Sequence, residues 1–129
     1  MPTRNKQILE VREATFGDSS IESLNQEDFQ NSVLRPILKF QNELIIAVFQ
    51  AYIATHKGNF TNFSIDKKIA FIDNSLSKEV VLKNTLKGMI IGLFTSDEFL
   101  IYSNNSSHYN KRIMSMLLER IKSQLQLLE

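Results

Sequence analysis

A run of apolar residues at helical spacing, Phe29, Val33, Ile37, Phe40, Leu44, Val48 and Ala51, constrains this chain more than any other feature. Steps of three and four place these side chains on one helical face. A second set, Leu34, Leu38, Ile45, Phe49 and Tyr52, widens that face until Leu44–Ala54 is apolar nearly all round. A surface helix keeps a polar face toward water. This segment is therefore expected at the buried centre of a domain or inside a partner subunit. Pro36 interrupts the run. A proline inside a helix removes a hydrogen bond and clashes with the preceding turn, at about 3 kcal/mol. The helix is expected to kink there, or to end near Leu34 and restart at Pro36. Asn25 offers a cap oxygen, with Glu27 and Asp28 in the first turn, where the helix dipole favours acids. Gly58 is expected to close the segment, with His56 and Lys57 in its last turn.

The rest of the chain also reads as helices separated by caps. Ser64 precedes Ile65, Ile69, Ile72 and Leu76, the spacing of a narrow buried stripe. Ser77 is expected to cap the next helix, which carries Leu82, Leu86, Met89 and Leu93 on one face and runs to about Phe94. Thr95 and Glu98 have the spacing of a capping box, ahead of Phe99-Leu100-Ile101-Tyr102. A β-hairpin over the same stretch is the rival reading. Helix is preferred because the box fits and no Asn-Gly-type turn is present. Ser106 or Ser107 then opens a C-terminal helix with Met114, Leu117, Ile121, Leu125 and Leu128 in register. Run out to Glu129, it would be about 34 Å long. The expected fold is all-α: a single bundle-like domain of four to six helices over residues 23–129, with a long kinked helix near Pro36. Residues 1–22 are polar and are expected to form a mobile or loosely docked arm, with a short helix within Asn5–Phe16.

Composition narrows the chemistry. At 129 residues, one domain is the natural expectation. The absence of cysteine excludes disulfides, thiolate metal sites and cysteine nucleophiles. Lys+Arg 15 against Asp+Glu 14 leaves a net charge of +1, so no overall field advertises a nucleic-acid or membrane partner. The charges are unevenly placed: residues 1–32 hold three basic and six acidic groups, the remainder twelve and eight. The first ten residues lack the apolar stretch of a signal peptide. The longest weakly charged apolar stretch, Leu44–Thr55, is twelve residues, short of the roughly 20 a spanning helix needs. A cytoplasmic location without membrane insertion is therefore expected.

Motifs for catalysis and metal binding are sparse. There is no Gly-x-Ser-x-Gly elbow and no His-Glu-x-x-His or EF-hand pattern, and four glycines build no phosphate-binding fingerprint. Of the two histidines, His56 reads as a helix C-terminal cation and His108 as a solvated first-turn residue. Asp66 and Asp73 share a helix face, which reads as hydrated surface. The lysines from Lys57 to Lys87, with Phe60 and Phe63 among them, are interspersed with acids and read as a solvated face, so nucleic acid is not expected as a partner. No catalytic residue, metal ligand or cofactor is expected. Gly88 and Gly92, four apart in an apolar run, each lose about 1 kcal/mol of helix propensity. Close approach of another backbone is the expected compensation.

Three stretches, VLRPILKFQNELIIAVFQ from Val33, FIDNSLSKEVVLKNTLKGMIIGLFT from Phe71 and NKRIMSMLLERI from Asn110, together resemble a family of short, uncharacterised, all-helical bacterial proteins, some of them under a glyoxalase label. The resemblance covers roughly residue 23 to the C-terminus. It implies a helical fold and supplies no catalytic residue. The βαβββ modules and His/Gln and Glu metal ligands of glyoxalases have no counterpart in this pattern. The surplus of apolar helix leads to the functional expectation: a non-enzymatic module that forms a homodimer or binds a protein partner, with Gly88, Gly92, Ile91, Phe49 and Tyr52 at the interface. The alternatives are a helical domain with a small-ligand or cofactor pocket, or a small enzyme using Arg35, Lys39, His56, His108 or Arg112 on an anionic substrate.

Overall fold

The computed structural model describes residues 2–12, 25–56 and 58–128. Helix α1 spans Pro2–Val11, α2 Gln26–Phe29, α3 Arg35–Ala54, α4 Ile65–Lys78, α5 Val80–Ile91, α6 Ser96–Ser103 and α7 Ser106–Lys122. A π-helical turn, Gln30–Leu34, joins α2 to α3, so Gln26–Ala54 is one helix of 29 residues. Counted that way, the described residues hold six helices and no strand. The expected all-α class is what the chain adopts.

Caps written in the sequence set three of the helix starts. Asn25 Oδ1 accepts from the Asp28 amide at 2.8 Å. Ser64 Oγ accepts from the Lys67 amide at 3.2 Å. At Thr95 both halves of the capping box form: Thr95 Oγ1 accepts from the Glu98 amide at 3.3 Å and Glu98 Oε1 from the Thr95 amide at 2.9 Å. Helix therefore wins over hairpin at residues 95–102. Other boundaries need correction. The long helix ends at Ala54, before Gly58. Ser77 lies inside α4, and Glu79 alone separates α4 from α5. Helix α7 stops at Lys122, giving about 26 Å instead of 34 Å.

Pro36 neither breaks the helix nor starts an independent one. Its missing N–H and its ring disturb the turn before it. The backbone widens there: the Arg35 N–H donates to Gln30 O, five residues back, as in a π turn. The continuous helix is long and apolar enough, by length and composition, to cross a membrane. Here Phe29, Val33, Leu34, Ile37, Leu38, Ile45, Ile46 and Phe49 from it enter the core. They meet Ile72 and Leu76 of α4, Leu82, Leu86 and Ile90 of α5, and Ile113, Leu117 and Ile121 of α7. The i,i+4 spacing within each set makes one ridge per helix. Leu44, Ala47, Ala51 and Ala54 stay exposed, so Leu44–Ala54 is only half enclosed. Ile65, expected in the α4 stripe, is 67% exposed, because it sits in the first turn beyond the reach of the neighbouring helices.

The expected glycine packing is also corrected. A Cβ on Gly88 would meet nothing within 4 Å, and both Gly88 and Gly92 are exposed. No backbone among the described residues fills the groove at Gly88. Gly88→Ala is therefore expected to stabilise the protein by about 0.5–1 kcal/mol, through helix propensity alone. Chemical denaturation reads this directly, and a loss of stability would contradict it. At Gly92 a Cβ would lie 3.1 Å from Gly88 O, so the same gain is not expected there.

Polar groups attach α1. Arg4 Nη1 and Nη2 donate to Phe94 O and Gly92 O, both at 2.9 Å. Asn5 Oδ1 accepts from the Ser96 amide at 3.0 Å. Arg12 Nη1 donates to Leu93 O at 3.2 Å and to Glu98 Oε1 at 2.7 Å. The carbonyls past Ile91 have no helical donor. Two guanidinium groups supply donors, and their charge suits a helix C-terminus. Residues 13–22 of the expected arm, and residues 23 and 24 after it, lie outside the described residues.

Candidate functional site

The π turn, α3 and α7 bring four cations, Arg35, Lys39, Arg112 and Arg120, to two adjoining grooves. Arg35 and Lys39, one turn apart on α3, face a groove of about 520 Å³ that Arg12, Asn31, Phe40 and Arg120 also line. A second groove of about 320 Å³ continues between α3 and α7, past Arg35, Arg112, Glu119 and Arg120. Arg35 and Arg120 belong to both and form the wall the grooves share.

Neutral amides hold these arginines in place. Arg35 Nε donates to Asn31 Oδ1 at 2.9 Å. Arg112 Nε donates to Gln30 Oε1. Arg120 Nη1 donates to Asn42 Oδ1 at 3.3 Å. Asn42 is itself locked by a reciprocal amide pair with Gln124, both bonds 2.8 Å. Among the described residues, ion pairs join Arg12 to Glu98 and Lys122 to Asp73. Glu119 lines the smaller groove without pairing to either arginine at ion-pair distance. Among the described residues, amides therefore orient Arg35, Arg112 and Arg120, and no carboxylate pairs with them. Burial, and then the charge of Arg35, hold the Arg120 guanidinium below its ordinary pKa.

Like charges held this way oppose folding. A cation whose folded pKa lies below its unfolded value destabilises the protein at every pH at which it stays protonated, which includes the whole neutral range. Among the described residues, the side-chain acceptors these guanidinium groups reach are neutral amides. Arginine forks match phosphate and carboxylate oxygens in pairs.

The structure brings together Arg35, Lys39 and Arg112 from the sequence reading and leaves the histidines apart. His56, just past the far end of the helix that Arg35 begins, is about 30 Å away. Its ring packs on Tyr52 and Phe71, at 4.3 and 5.4 Å between centroids. His108 packs against Tyr109 at 5.0 Å and lines neither groove. Among the described residues, no three His, Asp or Glu side chains come close enough to hold a metal ion. Gln30, Asn31, Asn42 and Gln124 went unread in the sequence. The i,i+4 spacing of Asn31 and Arg35 is the one local signal that could have pointed to them.

The five expected interface residues do not share one surface. Phe49 is fully buried in this chain's own core and cannot face a partner, because α3 turns it toward Phe71 of α4. Tyr52 is half-buried beside Phe49 and Phe71. Ile91 is half-buried, and Gly88 and Gly92 are exposed on α5. No family model, curated protein or solved structure matches the chain, so function rests on this geometry.

Proposed function

We propose that this protein is a helical binding module for a small organic polyanion, a phosphate or a di- or tricarboxylate, held between α3 and α7. One observation carries the reading: Arg35, Arg112 and Arg120 are each fixed by a neutral amide and none by a carboxylate among the described residues. A structural arginine cluster of this kind is ordinarily neutralised by acids, since like charges held close are destabilising. Lys39 adds charge at the rim of the larger groove. The lining offers donors and charge, which is the chemistry of binding.

Calorimetry against pyrophosphate and citrate tests the proposal. Each is expected to bind at one site, and Arg35→Gln with Arg120→Met is expected to weaken it at least tenfold, the worth of one charge-assisted hydrogen bond. Without ligand, Arg35→Gln alone is expected to raise the Tm by about 1–3 °C, since it relieves a like-charge contact. Equal binding by wild type and variant, or no binding by either anion, would overturn the reading.

A second reading is association through α3. Phe40 and Leu44 are 50% and 51% exposed on successive turns, and Ala47 and Ala51 continue the same exposed stripe. This moves the expected interface from Phe49 to the opposite side of its helix. Light scattering at high micromolar concentration distinguishes the two: a dimer that Leu44→Glu dissociates supports association, and a strict monomer removes it.

A further inference from the structure

A third groove, lined by none of the residues of the two arginine grooves, lies where α4, α5 and α7 meet. It encloses about 470 Å³, within the range of small-molecule sites. Leu76 is buried, and Met114 and Leu118 are half-buried in its wall. Lys83 and Lys87, one turn apart on α5, stand on one side and Lys111 of α7 on the other. Asp73 is the acid at this groove, and Lys122 already pairs with it at 2.8 Å. An apolar wall with three ammonium groups at its margin fits neither a polar metabolite nor a neutral oil. Burial of a hydrocarbon chain and capture of a negative head are separate gains, and one ligand class uses both.

We infer that this groove binds a single-chain amphiphile with an anionic head, of the medium-chain carboxylate type. Leu76, Met114 and Leu118 take the chain; Lys83, Lys87 and Lys111 take the head. Lysine suits this task because its stem covers apolar surface while its ammonium stays in water. The inference stands apart from the polyanion reading, since the two sites share no lining residue.

Titration of the full chain with monomeric hexanoate, octanoate and decanoate tests it by calorimetry. Decanoate is expected to saturate one site, and each added methylene to tighten binding about two- to fourfold. Decanol is expected to bind at least tenfold more weakly. The double variant Lys83→Glu, Lys87→Glu is expected to lose at least tenfold for decanoate, and Lys111→Glu to lose affinity with its circular dichroism unchanged. Arg35→Gln, in the other groove, is expected to leave decanoate binding unaltered. No saturable decanoate binding, decanol binding as tightly, or lysine variants binding as well as wild type would each overturn the inference. A tenfold loss in Arg35→Gln would place the carboxylate in the α3–α7 groove and overturn it too.

Discussion

Replacing Glu98 by alanine is expected to destabilise the protein by about 3 kcal/mol, lowering the Tm by about 10 °C. Glu98 is 4% exposed and Arg12 also 4%. One carboxylate oxygen accepts from Arg12 Nη1 and from the Thr95 amide together. Its removal leaves the guanidinium with only Leu93 O at 3.2 Å among the described residues. Arg12 Nε already lacks a partner there. A charge stranded in a low-dielectric site costs more than the pair contributed, and half of the α6 capping box goes with it. The loss has a ceiling, because α1 is fastened by Arg4, Asn5 and Arg12 and can release its arginine to water. The variant is therefore expected to lose amide hydrogen-exchange protection first in Pro2–Val11. Glu98→Gln keeps an acceptor and is expected to lose about half as much. A Tm for Glu98→Ala within 2 °C of wild type would show that the pair holds nothing together.

The second large effect is expected at Phe29, the last residue of α2. Its ring is fully buried. It stands edge-on to Phe94 at 5.7 Å and tilted against Tyr109 at 4.6 Å, and burial there raises the Tyr109 phenol above its ordinary pKa. One side chain thus joins the long helix to the α5–α6 corner and to α7. Phe29→Ala is expected to cost about 3–5 kcal/mol, since lost transfer energy and residual cavity add. That is a large share of the 5–15 kcal/mol typical of a domain. Phe29→Leu refills most of the volume and is expected to cost less than half as much. Denaturant unfolding measures both, and a loss below 1 kcal/mol for the alanine variant would mean that this corner is not tightly packed. The raised Tyr109 pKa carries a pH signature: its contribution is complete below the unfolded tyrosine value and is lost as pH rises through the folded one. Alkaline unfolding should therefore set in as the phenol ionises.

The limits of the sequence reading follow from distance along the chain. Asn25, Ser64 and the Thr95–Glu98 box were legible because a cap joins atoms three residues apart. Ser77 misled because a side chain suited to capping fits equally well inside a helix, where its hydroxyl donates to Asn74 O at 3.0 Å. The glycine pair misled because local propensity says that something must compensate for glycine, not that the space beside Gly88 stays open. At Pro36 a break and a kink were both anticipated; the helix does not break, and a π turn takes up the steric conflict.

The order of the residues determined that this chain is helical, where its helices begin and which of their faces are apolar, because those properties arise within a turn or two of backbone. Tertiary structure alone decided which apolar faces meet, leaving Phe49 inside and Leu44 outside on one helix. It also set Arg35 beside Arg112 and Arg120, with amides from the π turn and α3 holding them. Charges act through space, and residues about 80 positions apart become neighbours only when two helices pack.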